Sequence, residues 1–175
     1  MPRKRIGSRA ERDRRDKRRS GQLSQVQRSF RDQAGTSGAR DTGRAMPQAN
    51  VDLVKAILGA GQTDWEWVSS VLDPEVRLDQ SRFPDGGVYS GRAAFGDFYR
   101  RWFGTWDDLT ITPERFYDEG ERVVVLLTVQ GRGKGSGTPV TLRAANVWTV
   151  RAGKVVELVG YPDRAEALEA VGLSE

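Results

Sequence analysis

The chain has 175 residues, 28 of them Lys or Arg and 24 Asp or Glu, and contains neither Cys nor His. Disulfides, zinc–thiolate centres, thiol nucleophiles and imidazole bases are therefore excluded, and any catalysis must use carboxylates, Tyr, Lys or amides. The formal net charge of +4 is unevenly placed: residues 1–50 hold 14 basic and 5 acidic side chains, net +9, so residues 51–175 hold 14 basic and 19 acidic, net −5.

Residues 1–46 contain few large apolar side chains beyond Ile6, Leu23, Val26 and Phe30, whereas all five Trp lie after position 64. So polar a segment cannot bury enough apolar surface to offset the entropy lost on ordering. It reads as a disordered, at most transiently helical, basic extension, and 47–175 as one domain. The stretch MPRKRIGSRAERDRRDKRRS, residues 1–20, has ten Lys and Arg against three acids. It allows three readings: salt-sensitive attachment to nucleic acid through phosphate neutralisation, a passive solvated tail, or an untranslated segment, since Met46 stands just before PQANVDLV. Interleaved aromatics for base stacking are missing. No apolar run has the length of a membrane span and no secretory signal is evident, so the expectation is a cytoplasmic protein with no membrane partner.

Asn50 is a plausible N-cap for a helix whose stripe is Val51, Val54, Ile57 and Leu58, stopped by Gly59 and Gly61. Thr63-Asp64-Trp65-Glu66 fits a capping box, opening a second helix with Trp67, Val68, Val71 and Leu72 buried and Asp73-Pro74 at its end. Glu75–Asp79 reads as a short strand with Val76 and Leu78 on one face, Arg77 and Asp79 on the other. Ser81–Ser90, with Pro84 and Gly86-Gly87, reads as a long loop. A third helix runs from about Gly91 to Phe103, and Phe95, Tyr99, Trp102, Phe103 and Trp106 share an aromatic face.

From Leu109 the period changes to two. LTITPERFYD, RVVVLLTVQGRG, TPVTLRAANVWTV and KVVELVGYP are four strands joined by antiparallel hairpin connections. The glycines of GRGKGSG lack the following helix and the residue order of a phosphate loop, so that segment reads as a hairpin tip. A last short helix, Asp163 to Val171, is capped by Asp163 and ended by Gly172. The order predicts an α+β fold: a cone-shaped barrel in which three N-terminal helices pack on a curved antiparallel sheet, with a short C-terminal helix and room inside for a small apolar molecule. Asn146 alternates in phase with Val140, Leu142, Ala144, Trp148 and Val150, which points it into the cone, where a buried amide needs a partner or a ligand.

The segments LDPEVRLD, VYSGRAAFGDFYRRW, WDDLTITPERFYDEGERVVVLLTVQGRGKGSG and NVWTVRAGKVVELVGYPDRAEALEAVGL, in that order, resemble the SnoaL-like branch of the nuclear transport factor 2-like superfamily across essentially all of 47–175. The resemblance implies the cone-shaped barrel, a homodimer paired through the outer sheet face, and kinship with polyketide cyclases, ketosteroid isomerase and epoxide hydrolases. Asp79, in VRLDQ, is similar to the general-base Asp of ketosteroid isomerase, and Asn146, in AANVW, to its oxyanion-donating acid. Val54 stands near the position of that enzyme's oxyanion Tyr. The acid–base Asp of the cyclases maps onto no single residue, and the epoxide hydrolase constellation is not reproduced.

The expected function is therefore binding of a small hydrophobic molecule in a cavity lined by Tyr89, Tyr99, Trp102, Trp106, Trp148 and Tyr161, with no metal and no cofactor. Its enzymatic form is isomerisation or cyclisation of an enolisable or polycyclic substrate, with Asp79 as base and Asn146 as oxyanion donor. The alternatives are a non-catalytic dimeric ligand-binding module and a nucleic-acid-associated protein acting through residues 1–20. Asp79 capping a turn, Asn146 bonding internally and the aromatics serving only as core are the plainer roles for the same residues.

Overall fold

Alternating apolar side chains from Trp106 onward build four long strands, joined by turns that need left-handed backbone. These are β3 (Trp106–Glu119), β4 (Arg122–Gly133), β5 (Pro139–Arg151) and β6 (Lys154–Tyr161). Between β5 and β6 only Ala152 (φ 48°) and Gly153 (φ 72°) turn the chain, and two consecutive positive φ values match the right-handed twist of the strands. The computed structural model describes residues 46–61 and 63–174. The expectations placed on residues 1–45, nucleic-acid contact among them, lie outside the described residues.

The sheet has six strands in the order β2-β1-β6-β5-β4-β3. β1 (Leu72–Asp79) is parallel to β6, and β2 (Val88–Ser90) is antiparallel to β1. The pairings of β3 to β6 are antiparallel as expected, and the parallel β1–β6 pair corrects the expectation of an antiparallel sheet at that one seam. The meander starts at the far edge with β3 and works back, so its fourth strand arrives beside β1 running the same way. It also corrects the Ser81–Ser90 loop, whose last three residues pair with Arg77–Asp79 as an edge strand. Register shifts within β3, near the start of β1 and at the end of β5 bend the sheet, as extra residues in a ladder do.

Three helices lie on one face: α1 (Met46–Ala60), α2 (Trp65–Val71) and α3 (Arg92–Gly104). Helix α1 starts before Asn50, so Asn50 is not its cap. Its buried side chain donates instead from Nδ2 to the Gly120 carbonyl at 2.8 Å, tying the helix to the β3–β4 turn. The helix runs through Gly59 and stops at Gly61, φ 52°. The cap of α2 is Asp64, whose carboxylate accepts from Trp67 N at 3.1 Å, while the Thr63 hydroxyl donates backwards to Ala60 O at 2.6 Å. Leu72, expected on α2, opens β1. Pro74 is tolerated inside that strand because the ladder with β6 is interrupted between Leu72 and Arg77. Trp106 opens β3 and is not part of the α3 face.

The short helix α4 (Arg164–Glu169) is capped by Asp163, which accepts from Ala165 N and Glu166 N at 2.8 and 3.3 Å. It covers the opposite face of the sheet, packing Ala167 and Leu168 on Val124, Leu126, Ala145, Val147 and Tyr161. Alternation then places Leu127, Val129, Ala144, Asn146 and Trp148 on the helix-roofed face. With cover on both sides, Val123 to Leu127 are buried without a break. Among the described residues no helix is long and apolar enough to cross a membrane.

Candidate functional site

A cavity of about 790 Å³ lies between the three helices and the sheet. Its roof is the aromatic succession on α3 and the start of β3. Phe95 and Tyr99 stand 5.1 Å apart between ring centres, Tyr99 and Trp102 meet edge-on at 6.3 Å, and Trp102 and Trp106 at 6.0 Å. The spacings suit edge-to-face and tilted packing of aromatic quadrupoles, so each ring is fixed by its neighbours. Trp65, at the start of α2, lies against Gly96 so closely that a Cβ there would stand 2.6 Å from its ring. The mid-helix glycine is what lets this ring join the wall.

The floor is the inner face of β5, with Leu142, Ala144, Asn146 and Trp148 in successive inward positions. Of the residues expected to line the cavity, Tyr89, Tyr99, Trp102, Trp106, Trp148 and Asn146 do so. Burial pushes the Tyr99 hydroxyl well above its ordinary pKa, so it stays a neutral phenol at physiological pH. The indole N–H groups of Trp106 and Trp148 are buried with no hydrogen-bond acceptor among the described residues.

Tyr161 does not line the cavity. It belongs to the cluster beneath α4 on the other face, with the Arg82 guanidinium 4.4 Å above its ring. Its pairing with Ala145 sets it out of phase with Asn146, which pairs with Gly160. Asp79 is likewise absent from the wall. Its Oδ1 accepts from Ser81 N at 3.0 Å and Ser81 Oγ at 2.6 Å, and its Oδ2 from Arg77 at 2.8 Å. Arg77 in turn bonds Glu157 at 2.6 Å. Burial alone would raise the Asp79 pKa, but the bonds from Ser81 and Arg77 and the Arg77 charge outweigh it and hold the carboxyl below its ordinary value. A carboxylate so engaged is a weak base. The geometry is that of a turn cap at the end of β1.

The residue of this segment that does reach the cavity is Gln80, buried and one step further along. The alternation Val76, Leu78, Gln80 contains the signal, because a third step on the inward face follows the first two. The Gln80 amide occupies the space above Gly160, where a Cβ would lie 2.5 Å from Oε1 and 2.8 Å from Nε2. Its backbone closes the following loop, donating to Gly87 O at 2.8 Å and accepting from Phe83 N at 3.0 Å. The loop then supplies Phe83, Pro84, Asp85 and Gly86 to the wall. Arg82 ties it to the far face through an ion pair with Glu166 at 2.8 Å.

If Asp79 is a cap, Asp79→Asn should lower stability by about 1.5 kcal/mol, the lower end for one lost charge-assisted bond, and leave ligand affinity in the cavity unchanged. Thermal melts and a binding titration on the same protein check this; a large loss of affinity with an unchanged melt would restore Asp79 to the site.

A curved open sheet roofed by three helices around an aromatic cavity defines a protein of the nuclear transport factor 2-like fold. A SnoaL-like domain model matches residues 51–158, and the chain belongs to that family. Among solved structures it is similar to TerC co-crystallised with polyporic acid, at 24% identity and TM-score 0.57 over 70% of this chain and 98% of that one. It is similar to a protein described as a SnoaL-like polyketide cyclase from Jannaschia sp. CCS1, at 20% identity and TM-score 0.61 over 78% and 100% of the two chains. A third is a hypothetical protein of ketosteroid isomerase-like fold from Catenulispora acidiphila DSM 44928, in complex with trimethylamine, at 19% identity and TM-score 0.56 over 69% and 92%. At these identities the likeness is one of fold. No curated protein matches the chain.

Proposed function

We propose that this domain binds a small, largely aromatic molecule in the cavity between α3 and β5. One observation carries the reading: a space of about 790 Å³ is walled by aromatic side chains yet has the amides of Gln80 and Asn146 on its floor. Few convergent polar groups in an otherwise apolar concavity are what orient a ligand that apolar burial retains. The charged residues that line it, Asp85, Arg100 and Arg101, come from the loop and the end of α3 and are exposed. That TerC was co-crystallised with polyporic acid supports a small-molecule role for the fold.

Of the two forms, binding and turnover, the geometry removes Asp79 from the second and leaves Asp85, on its exposed loop, as the carboxylate that lines the cavity. Proton transfer next to a carbonyl needs a base within hydrogen-bond reach of the ligand. Asp79 is outside the wall and its oxygens are engaged by Ser81 and Arg77. Asn146 can still donate to a carbonyl oxygen, as the isomerase and cyclase reading requires, so the amide serves either version.

Leu142 is half-buried and projects into the cavity. Leu142→Trp should fill the space, leaving the fold intact and weakening binding of an aromatic probe by about 100-fold, the scale of a ligand that no longer fits. Native mass spectrometry of the protein from its source should show a bound small molecule in the unaltered protein and none in the variant. Equal occupancy of both would refute the cavity as the site.

A further inference from the structure

Resting on the binding function proposed above, we infer that Gln80 and Asn146 form a two-point reader for a neutral ligand group that carries a hydrogen-bond acceptor and a donor on adjacent carbons, as a hydroxy-ketone does.

The pair is built by three strands. Asn146 on β5 stands opposite Gly160 on β6. Asp79 stands beside Val159 in the parallel β1–β6 pairing, so Gln80, the next residue, comes beside Gly160. Because Gly160 has no side chain, the Gln80 amide lies over its backbone, within 2.5 to 2.8 Å of the absent Cβ position. Gln80 and Asn146 therefore flank one gap, two strand spacings or about 10 Å between backbones, which the Gln80 side chain narrows from one side.

Neither side-chain amide has a hydrogen-bond partner among the described residues, although both line the cavity. An amide offers two donor hydrogens and one acceptor oxygen, so two unpaired amides facing one gap present donors and acceptors together. A ligand carbonyl can accept from one while an adjacent hydroxyl donates to the other. Charge argues against an anion between these two amides, because the Arg100 and Arg101 that line the cavity come from the end of α3. No charged side chain comes to the cavity wall from β1, β5 or β6 among the described residues, and an ion taken from water into such a place must be paired to be tolerated.

The test uses three neutral probes of nearly one shape, benzoin with hydroxyl and ketone, deoxybenzoin with the ketone alone and bibenzyl with neither, and one anion of similar size, diphenylacetate. Titration of intrinsic tryptophan fluorescence reads their affinities. Benzoin should bind about fivefold tighter than deoxybenzoin and bibenzyl weakest of the neutral three, a ratio set by one net hydrogen bond per step; diphenylacetate should not saturate. Gln80→Leu should remove the preference for benzoin over deoxybenzoin. Gly160→Ala should do the same with both amides still present, because its methyl group displaces the flexible end of Gln80 and leaves the backbone in place.

Equal affinity for benzoin and deoxybenzoin in the unaltered protein, or a preference that survives in both variants, overturns the two-point reader and leaves cavity binding standing. Saturable binding of diphenylacetate overturns it as well. Failure of all four probes to bind overturns the cavity reading and this inference with it. Far-ultraviolet circular dichroism on each variant confirms that the affinities compare folded proteins.

Discussion

A single methyl group added at Gly86 should unseat the loop that walls the cavity. Its Cβ would stand 1.6 Å from the Gln80 carbonyl oxygen, 2.5 Å from the carbonyl carbon and 3.1 Å from Phe83 O. All three are backbone atoms, so no rotamer change relieves the overlap. The same backbone is held by short bonds, with Gln80 N donating to Gly87 O at 2.8 Å, Phe83 N to Gln80 O at 3.0 Å and Gly86 N to Phe83 O at 2.9 Å. Relief must break some of them and re-route the loop. Gly86→Ala should therefore cost about 3 kcal/mol, the upper part of the range for overpacking, and lower the melting temperature by about 10 °C in a domain of this size.

Affinity for an aromatic probe should fall with stability, because Phe83, Pro84 and Asp85 reach the cavity from this loop. Gly104→Ala is the matched control. A Cβ there meets nothing within 4 Å, so its effect should stay within about 0.5 kcal/mol of zero, as for most surface substitutions. Similar melts for the two variants would mean that the loop does not hold this conformation.

The loop also shows where sequence reading stops. Strands β3 to β6 announce themselves through alternation and turn glycines, because a strand with one buried face writes that face into every second residue. The aromatic stripe of α3 is legible for the same reason at helical spacing. Strand β2 is not. Three residues are too few to show a period, and only pairing with Arg77–Asp79 makes Val88–Ser90 a strand. The parallel union of β1 and β6 has no local signature either, since it joins segments some 80 residues apart.

Of the two amides on the floor, Asn146 is legible in the sequence, whereas Gln80 stands one position beyond the residue the sequence singles out. Likeness to the isomerase points to Asp79, the conspicuous carboxylate, while the alternation that sets Val76 and Leu78 on one face extends to Gln80. An acid at a strand end has two uses, base or cap, and its partner decides. That partner is Ser81, through both its amide and its hydroxyl. Tyr161 fails for a related reason: a strand-end aromatic fits either face, and only its register with Ala145 assigns it to the side covered by α4. Asn146, in mid-strand among apolar neighbours of the same phase, admits no such ambiguity.

Arg164 braces the cavity floor from beneath and should be the source of an acid-sensitive part of the protein's stability. Its side chain is only 10% exposed. It donates to the carbonyls of Leu127 at 2.7 Å and Ala144 at 3.3 Å, two residues that face each other across β4 and β5. It also pairs with Glu114 at 2.9 Å. Arg164→Met keeps the length and removes the donors, so two carbonyls lose a charged partner; the expected cost is about 3 kcal/mol. The Glu114 contribution is read from pH. Bonds from Arg164 and then Thr128, with the charges of Arg164 and Arg143, hold its carboxyl at about 2, down from an ordinary 4.5. A carboxyl whose pKa is lower in the folded state binds protons more readily when unfolded. It therefore contributes stability above pH 4.5, and that contribution disappears as pH falls from there towards 2. Chemical denaturation from pH 6 to pH 2 should show a falling limb in the unaltered protein that is shallower in Glu114→Gln and in Arg164→Met. The limb should also shrink in 1 M salt, because the Glu114 side chain is 40% exposed and exposed pairs are screened. Three identical limbs would show that the pair does not couple folding to protonation, and an unchanged melting temperature in Arg164→Met would show that the floor stands without its brace.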